Sequence, residues 1–435
     1  MASYAQPDST PRPLPDGEAA LIDSPRVRSA GPDVLSLALM DARNHSLHLF
    51  AQFQRVLESS GAQSLQRPDV NPPLWALGHV AWFQEWWIGR NVQRALGTRC
   101  SPTPTRLASI EPHADRWWNP EAAPRAGRWS LDLPDMAACR AYLLDTLEGT
   151  LDLLGKAGTA SHDALYFYRL CLFHEDMRAE AMARAAQVLG LALDKPLQAA
   201  FTPRPMALRE PLLVPATVWQ MGSAPGADAG FAFDNERAVH AVSVPEFEID
   251  AQPVTWAQYV EFVGDGGYDR EELWHPDGWR WLQEQAAAEG RRGPRYVDQI
   301  GITSGAVIQN RFGVPCRMQA SQPALHVSWW EADAWCRWAG RRLPAEVEWE
   351  LAAHTAARRG FYWGDVWEWM GTTFGPYPGF SPDPWQRYSL PWFGTHKVLR
   401  GASFATRARM KNPKHRSFML PGRDDTFCGF RSCAL

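Results

Sequence analysis

The feature that most constrains this chain is a change of pattern near residue 205. Before it, apolar residues recur three and four apart over long stretches; after it, short apolar runs are broken by Gly and Pro. A period of 3.6 buries one face of a helix and a period of two buries one face of a strand. The first half therefore predicts helices, and the second a unit of short strands, short helices and long loops. One helix is expected from Pro32-Asp33 through Leu57. A second opens at Pro72-Pro73 and runs through Trp75, Leu77, His79, Trp82, Phe83 and Trp86. A third starts near Pro134 and ends at Gly155 to Gly158, and a fourth runs from Ser161-His162-Asp163 to Leu189-Gly190. Four such helices over 33–192 read as a bundle, and bundles build metal sites between facing helices. Residues 193–208 read as a linker and 209–435 as the second domain. There Thr217 to Met221 reads as a strand, and helices are expected at 256–263 and at 330–339, the latter capped by Ser328. The class is α+β.

Composition excludes some partners. A formal net charge of -4 over 435 residues gives no broad basic field for nucleic acid or anionic lipid, so small polar or zwitterionic substrates fit better. No run approaches the roughly 20 apolar residues of a membrane span. Seven cysteines, odd in number and without a C-x-x-C pair, argue against a disulfide framework and for a reducing cytoplasm. Residues 1–32 are rich in Pro, Ala, Ser and Asp and lack an apolar signal core, so they are expected to be disordered rather than a signal peptide. The 22 tryptophans read mostly as core, with a few placed to line a pocket for a methylated amine.

The stretch His174-Glu175-Asp176-Met177-Arg178-Ala179-Glu180 has the form of a helical metal motif. Residues at i and i+4 share a helix face, so ligands at 174 and 178 could grip one ion. Arg178 cannot, because a guanidinium has no lone pair to give.

Motifs in order along the second half resemble the formylglycine-generating-enzyme (sulfatase-modifying factor, C-type-lectin-like) fold. They include Met221-Gly222-Ser223, Phe233-Asp234-Asn235-Glu236, His326-Val327-Ser328-Trp329, Gly340-Arg341-Arg342-Leu343-Pro344-Ala345-Glu346, Trp367-Glu368-Trp369, Leu399-Arg400-Gly401 and Gly429-Phe430-Arg431. Leu74-Trp75-Ala76-Leu77-Gly78-His79 and the 174–180 stretch resemble a DinB-like four-helix bundle. The two in this order resemble the ergothioneine sulfoxide synthases (EgtB) and the selenoneine synthases (SenA), with the second branch the nearer.

That resemblance implies an iron(II)-dependent oxidoreductase. With dioxygen, it would join a thiol or a selenosugar to the imidazole carbon of hercynine, the trimethylated betaine of histidine. Fe(2+) would be held by three histidines, of which His79 and His174 match two, while Arg178 stands at the third position and Glu180 keeps the last. Three outcomes follow for the missing ligand. A carboxylate from Glu175, Asp176 or Glu180 completes the set, although i+6 lies roughly 240° round the helix from His174. His45 or His48 substitutes from the first helix. Or iron is not held, leaving a hercynine-binding protein without chemistry in which Arg178 pairs with a carboxylate. Tyr377 matches the tyrosine that supplies a proton at the iron in some members. Met177, Arg416, Ser417, Phe418 and Met419 match substrate-binding positions. Ser, Phe and Met at 417–419 replace Asn, Trp and Asp, which removes contacts to a γ-glutamylcysteine donor and favours the selenosugar. Cys428 and Cys433 read as strand residues rather than the redox pair of a formylglycine-generating enzyme.

Overall fold

The computed structural model describes residues 21–61, 65–157, 161–224, 230–301 and 304–435. Its first half carries α1 Pro32–Ser60, α2 Pro73–Gln84, α3 Ala114–Trp118, α4 Met136–Gly155 and α5 Tyr166–Leu189. The four long helices stand where the apolar spacing placed them. Pro32 and Pro73 occupy first-turn positions, where a missing N–H costs nothing. Asp135 caps α4 by accepting from Ala138 N at 2.8 Å. Gly190 ends α5 in the left-handed region, φ 63°, which a side chain would resist. Helix α1 packs on α5 and α2 on α4, burying Leu35, Leu39, Leu49, Phe50 and Phe53 of α1. Helix α2 is buried on nearly every face and continues as one π turn, Glu85–Gly89.

Two expectations need correction. Residues 1–20 lie outside the described residues, but 21–31 are packed rather than disordered. Val27 and Arg28 are buried, and Arg28 Nη1 donates to Glu236 Oε2 and to Phe231 O, both at 2.9 Å. A polar composition does not prevent order when each charge finds a partner on a docked surface. The stretch 193–208 is likewise no free linker. It holds a sixth helix, α6 Lys195–Ala200, buries Phe201, and ties Arg204 to Asp365 and Met206 N to Ser321 O.

The second half has thirteen short strands among the described residues. They are β1 Leu212–Val214, β2 Thr217–Met221, β3 His240–Val244, β4 Phe247–Ile249, β5 Val297–Gly301, β6 Ala306–Arg311, β7 Val314–Met318, β8 Arg341–Arg342, β9 Trp367–Thr373, β10 Lys397–Gly401, β11 Ser417–Met419, β12 Cys428–Gly429 and β13 Cys433–Ala434. Two four-stranded sheets, in orders β1-β4-β13-β8 and β11-β10-β9-β12, accompany the hairpin β2-β3 and the meander β5-β6-β7. Helices α7 Trp256–Gly264 and α9 Trp329–Trp338 match expectation, and Ser328 with Glu331 forms a reciprocal cap on α9. Helices α8 Pro276–Glu289 and α10 Glu346–Thr355 were not legible: α8 opens on a turn-like Pro-Asp-Gly and buries only Gly278 and Leu282. All seven cysteines are free, and no described helix is long and apolar enough to cross a membrane.

Strands this short leave an interior held by ion pairs. The guanidiniums of Arg400, Arg409, Arg416 and Arg431 are almost wholly buried, against Glu350, Asp176, Glu346 and Glu368 respectively. One stripe of α5 carries part of the contact between the two halves. Asp176, Glu180, Arg184 and Gln187, spaced four, four and three apart, reach Arg409, Ser403, Asp425 and Asn310 O in the second half.

Candidate functional site

His79 and His174 come from separate helices and meet between them. Gly78 makes the first placement feasible: a Cβ there would stand 2.1 Å from the Trp118 ring, so glycine lets Trp118 close over α2. The Trp118 carbonyl then lies 2.9 Å from His79 Nδ1. A carbonyl only accepts, so Nδ1 carries the proton and Nε2 keeps its lone pair. Trp75 stacks on the ring at 4.8 Å and 10°, which fixes its plane. His174 is stacked on Phe83 at 3.6 Å and 13°, with Trp385 edge-on at 5.5 Å. The two imidazole centroids are 5.2 Å apart at 71°. Two nitrogen–metal bonds of about 2 Å each can bridge such a gap.

Both rings are neutral near pH 7. Burial, assisted by the Arg178 charge, lowers the His79 pKa from 6.5 to about 3 and drives that of His174 well below 6.5. Burial likewise takes His326 to about 3. A neutral imidazole is the form that ligates a metal. The same shifts make metal-free stability depend on acidity. The unfolded chain binds protons below pH 6.5 that the fold refuses, so stability is complete above 6.5 and falls as pH drops towards 3. Between pH 7.5 and 5.5 each such histidine should cost about 1.4 kcal/mol. Urea midpoints of the metal-free protein at the two values check this, and equal midpoints would contradict it.

The third position is filled by a cation. Arg178 has no carboxylate partner among the described residues, and its Nε is closed off from solvent without an acceptor. Burial lowers its pKa from 12.5 to about 10, so it still carries its charge at neutral pH. None of the three neighbouring carboxylates stands in. Glu175 pairs with Arg43 at 2.9 Å inside the bundle, and Asp176 takes both arms of Arg409 at 2.7 and 2.8 Å. Glu180 accepts from Trp367 Nε1, Ser403 and Thr406 at 2.8, 2.6 and 2.8 Å. His48 pairs with Asp194 at 2.7 Å at the surface, and His45 is lowered to about 4 by burial and by Arg407. Among the described residues, no group of three or more His, Cys, Asp or Glu could hold a metal. The residues present thus fit two ligands of a metal centre, and among the described residues no His, Cys, Asp or Glu completes a three-ligand set.

Tyr377 is not beside the histidine pair by any contact in the structure. It donates to Glu346 at 3.1 Å, and the buried Arg416 guanidinium lies 3.8 Å over its ring while its Nε donates to Glu346 at 2.6 Å. Ser417, Phe418 and Met419 form β11 along β10. Phe418 leads back to the site, since Tyr388 is 5.9 Å from it, Trp385 is 4.9 Å from Tyr388, and Trp385 faces His174. Met177 is half-buried on α5, one residue from Arg178. Trp385 and Tyr388 were missed in the sequence. The signal for them was two aromatics three apart in a proline-rich stretch with no apolar period to bury them.

Residues 197–365 and 360–434 match the sulfatase-modifying factor enzyme 1-like domain family. Over more of the chain, the protein is 30% identical to a hercynine oxygenase of Mycolicibacterium smegmatis, covering 84% of this chain and 91% of that one. It is also 30% identical to a hercynine oxygenase of Mycolicibacterium thermoresistibile, covering 91% and 94%. A formylglycine-generating enzyme of Mus musculus is 32% identical over 38% of this chain and 45% of its own length. At 30% identity over most of both chains, with the helices bearing His79 and His174 ahead of a sulfatase-modifying-factor-like half, the chain belongs to the hercynine oxygenase family.

Proposed function

We propose that this protein acts on hercynine, joining a sulfur or selenium donor to its imidazole carbon in a dioxygen-dependent reaction. The observation that carries the reading is the pair of neutral, oriented imidazoles, His79 and His174, 5.2 Å apart in a member of this family. The half-buried rings of Phe418, Tyr388 and Trp385, running up to His174, support it further, because aromatic faces attract a trimethylammonium group. Bond formation removes one hydrogen from the imidazole carbon and one from the thiol or selenol, and dioxygen takes up the two electrons. Iron(II), when bound, supplies the oxygen chemistry, with His79 and His174 as its protein ligands. Trp118 and Trp75 hold the His79 ring with Nδ1 engaged, which leaves the Nε2 lone pair to serve as the ligand. A selenosugar suits the donor position better than γ-glutamylcysteine, since Ser417, Phe418 and Met419 offer neither a carboxylate nor an amide.

Iron content, together with mass spectrometry of products from hercynine plus thiol or selenol donors, tests this reading. The coupled product is expected, and an iron-supplemented protein that yields none overturns it. A second reading, a hercynine-binding protein without chemistry, is favoured by one observation, the cation at the third ligand position. Calorimetric binding of hercynine to metal-free protein, with no product on adding iron and oxygen, would establish that second reading.

A further inference from the structure

A small cavity of about 30 Å³ lies between α2 and α5, one helical turn beyond His174. Its walls include Asn71, Trp75, Met182, Arg178 and Arg184. Arg184 is paired with Asp425 at 2.5 Å, so its charge is met. Arg178 is not met, as its orphaned Nε attests. A second guanidinium stands behind the wall. Arg128 donates to Asn71 Oδ1 at 2.8 Å and lies 3.5 Å over the Trp75 ring, yet has no carboxylate partner among the described residues. Several buried arginines of this protein are paired with carboxylates, as at Arg400, Arg409, Arg416 and Arg431, whereas Arg169 and Arg311 are capped by backbone carbonyls. Arg178 lines the cavity and Arg128 stands behind its Asn71 and Trp75 wall, two partly buried guanidiniums with no carboxylate partner among the described residues, an arrangement that favours an anion.

We propose that this cavity is a carboxylate subsite, occupied by the carboxylate of the bound betaine and gripped by Arg178 with Arg128 in support. The planar guanidinium fork matches a carboxylate and takes it bidentately. The enclosed volume is on the scale of a carboxylate head or a small inorganic anion. The position also suits the ligand. Arg178 is four residues, roughly 6 Å, along the helix from His174, and Trp75 connects the cavity to His79 at 4.8 Å. A carboxylate held there keeps the attached imidazole near the histidine pair, and its ammonium end near the rings of Trp385 and Tyr388. Arginine at this position then serves substrate binding rather than marking only the loss of a ligand. The identity of the ligand rests on the function proposed above; the anion site does not.

The test uses the full chain and three probes: hercynine, its methyl ester and acetate. Wild-type protein should bind hercynine about 10-fold to 100-fold more tightly than the ester, and Arg178→Gln should abolish that preference. Equal binding of acid and ester by wild type, or a preference that survives in Arg178→Gln, overturns the inference while leaving hercynine as the substrate. If wild type binds no hercynine at all, the functional reading fails and acetate decides the subsite. Thermal stabilisation by acetate that vanishes in Arg178→Gln sustains it, and stabilisation that does not depend on Arg178 refutes it. Arg128→Gln lies outside the long helices and keeps the experiment decisive if Arg178→Gln does not fold. It should weaken the acid preference in the same direction, and an unchanged preference there counts against the proposal.

Discussion

Arg178→His should raise the affinity for ferrous iron by more than about 100-fold. The residue sits one turn from His174 on the same helix face, and its charge already lowers the pKa of both imidazoles. Substitution would remove a cation from the neighbourhood of a divalent ion and add a third nitrogen donor. Partners that merely orient ligands are worth 10-fold to 100-fold in metal affinity, so restoring a direct ligand should exceed that. Titration with ferrous iron under anaerobic conditions reads the change. Affinity unchanged within threefold would mean that His79 and His174 do not share an ion. If affinity rises but coupling of hercynine falls, the arginine is needed for substrate, as the carboxylate subsite requires.

The second large effect concerns the seam between the halves. Arg409→Met should destabilise the protein by about 3–5 kcal/mol, because it strands Asp176 unpaired in the interior. Arg409 and Asp176 are fully buried and joined by two hydrogen bonds at 2.7 and 2.8 Å. The same guanidinium reaches Asp41 at 2.7 Å and the carbonyl of Ile22 at 3.1 Å, so one side chain ties three segments together. Burial raises the Asp176 pKa even with this partner in place, which shows how strongly the site disfavours a lone carboxylate. Urea denaturation checks the prediction. The exposed pair Lys156–Asp152 is the control, and its Lys156→Met substitution should leave the midpoint where it is. Equal shifts for the two variants would contradict the account of the interior.

The bundle was legible because each long helix carries its own period and its own stop, Gly190 at the end of α5 being the clearest. The second half was legible as a class, through repeated Gly and Pro, and less so in detail. Helix α8 hides behind a turn-like start, and strands of two to seven residues are too short for alternation to identify. At the site, His79 and His174 could be named from their motifs, and Arg178 could be seen as an intruder. What the chain does with Glu175, Asp176 and Glu180 could not be read. Each carboxylate is claimed by a residue more than a hundred positions away, Arg43, Arg409 and Ser403, and nothing local records such pairings. The packed segment 21–31 escaped for the same reason, as Arg28 finds Glu236 only in three dimensions. Trp385 reaches His174 from a loop without periodicity.

Anomalous diffraction at the iron edge, from anaerobic crystals of Arg178→His grown with ferrous iron, tests the central claim most directly. One peak is expected between the helices, about 2 Å from Nε2 of His79 and from a ring nitrogen of His174. A protein that binds iron with its peak elsewhere, or whose two imidazoles cannot reach a single atom, would contradict the account.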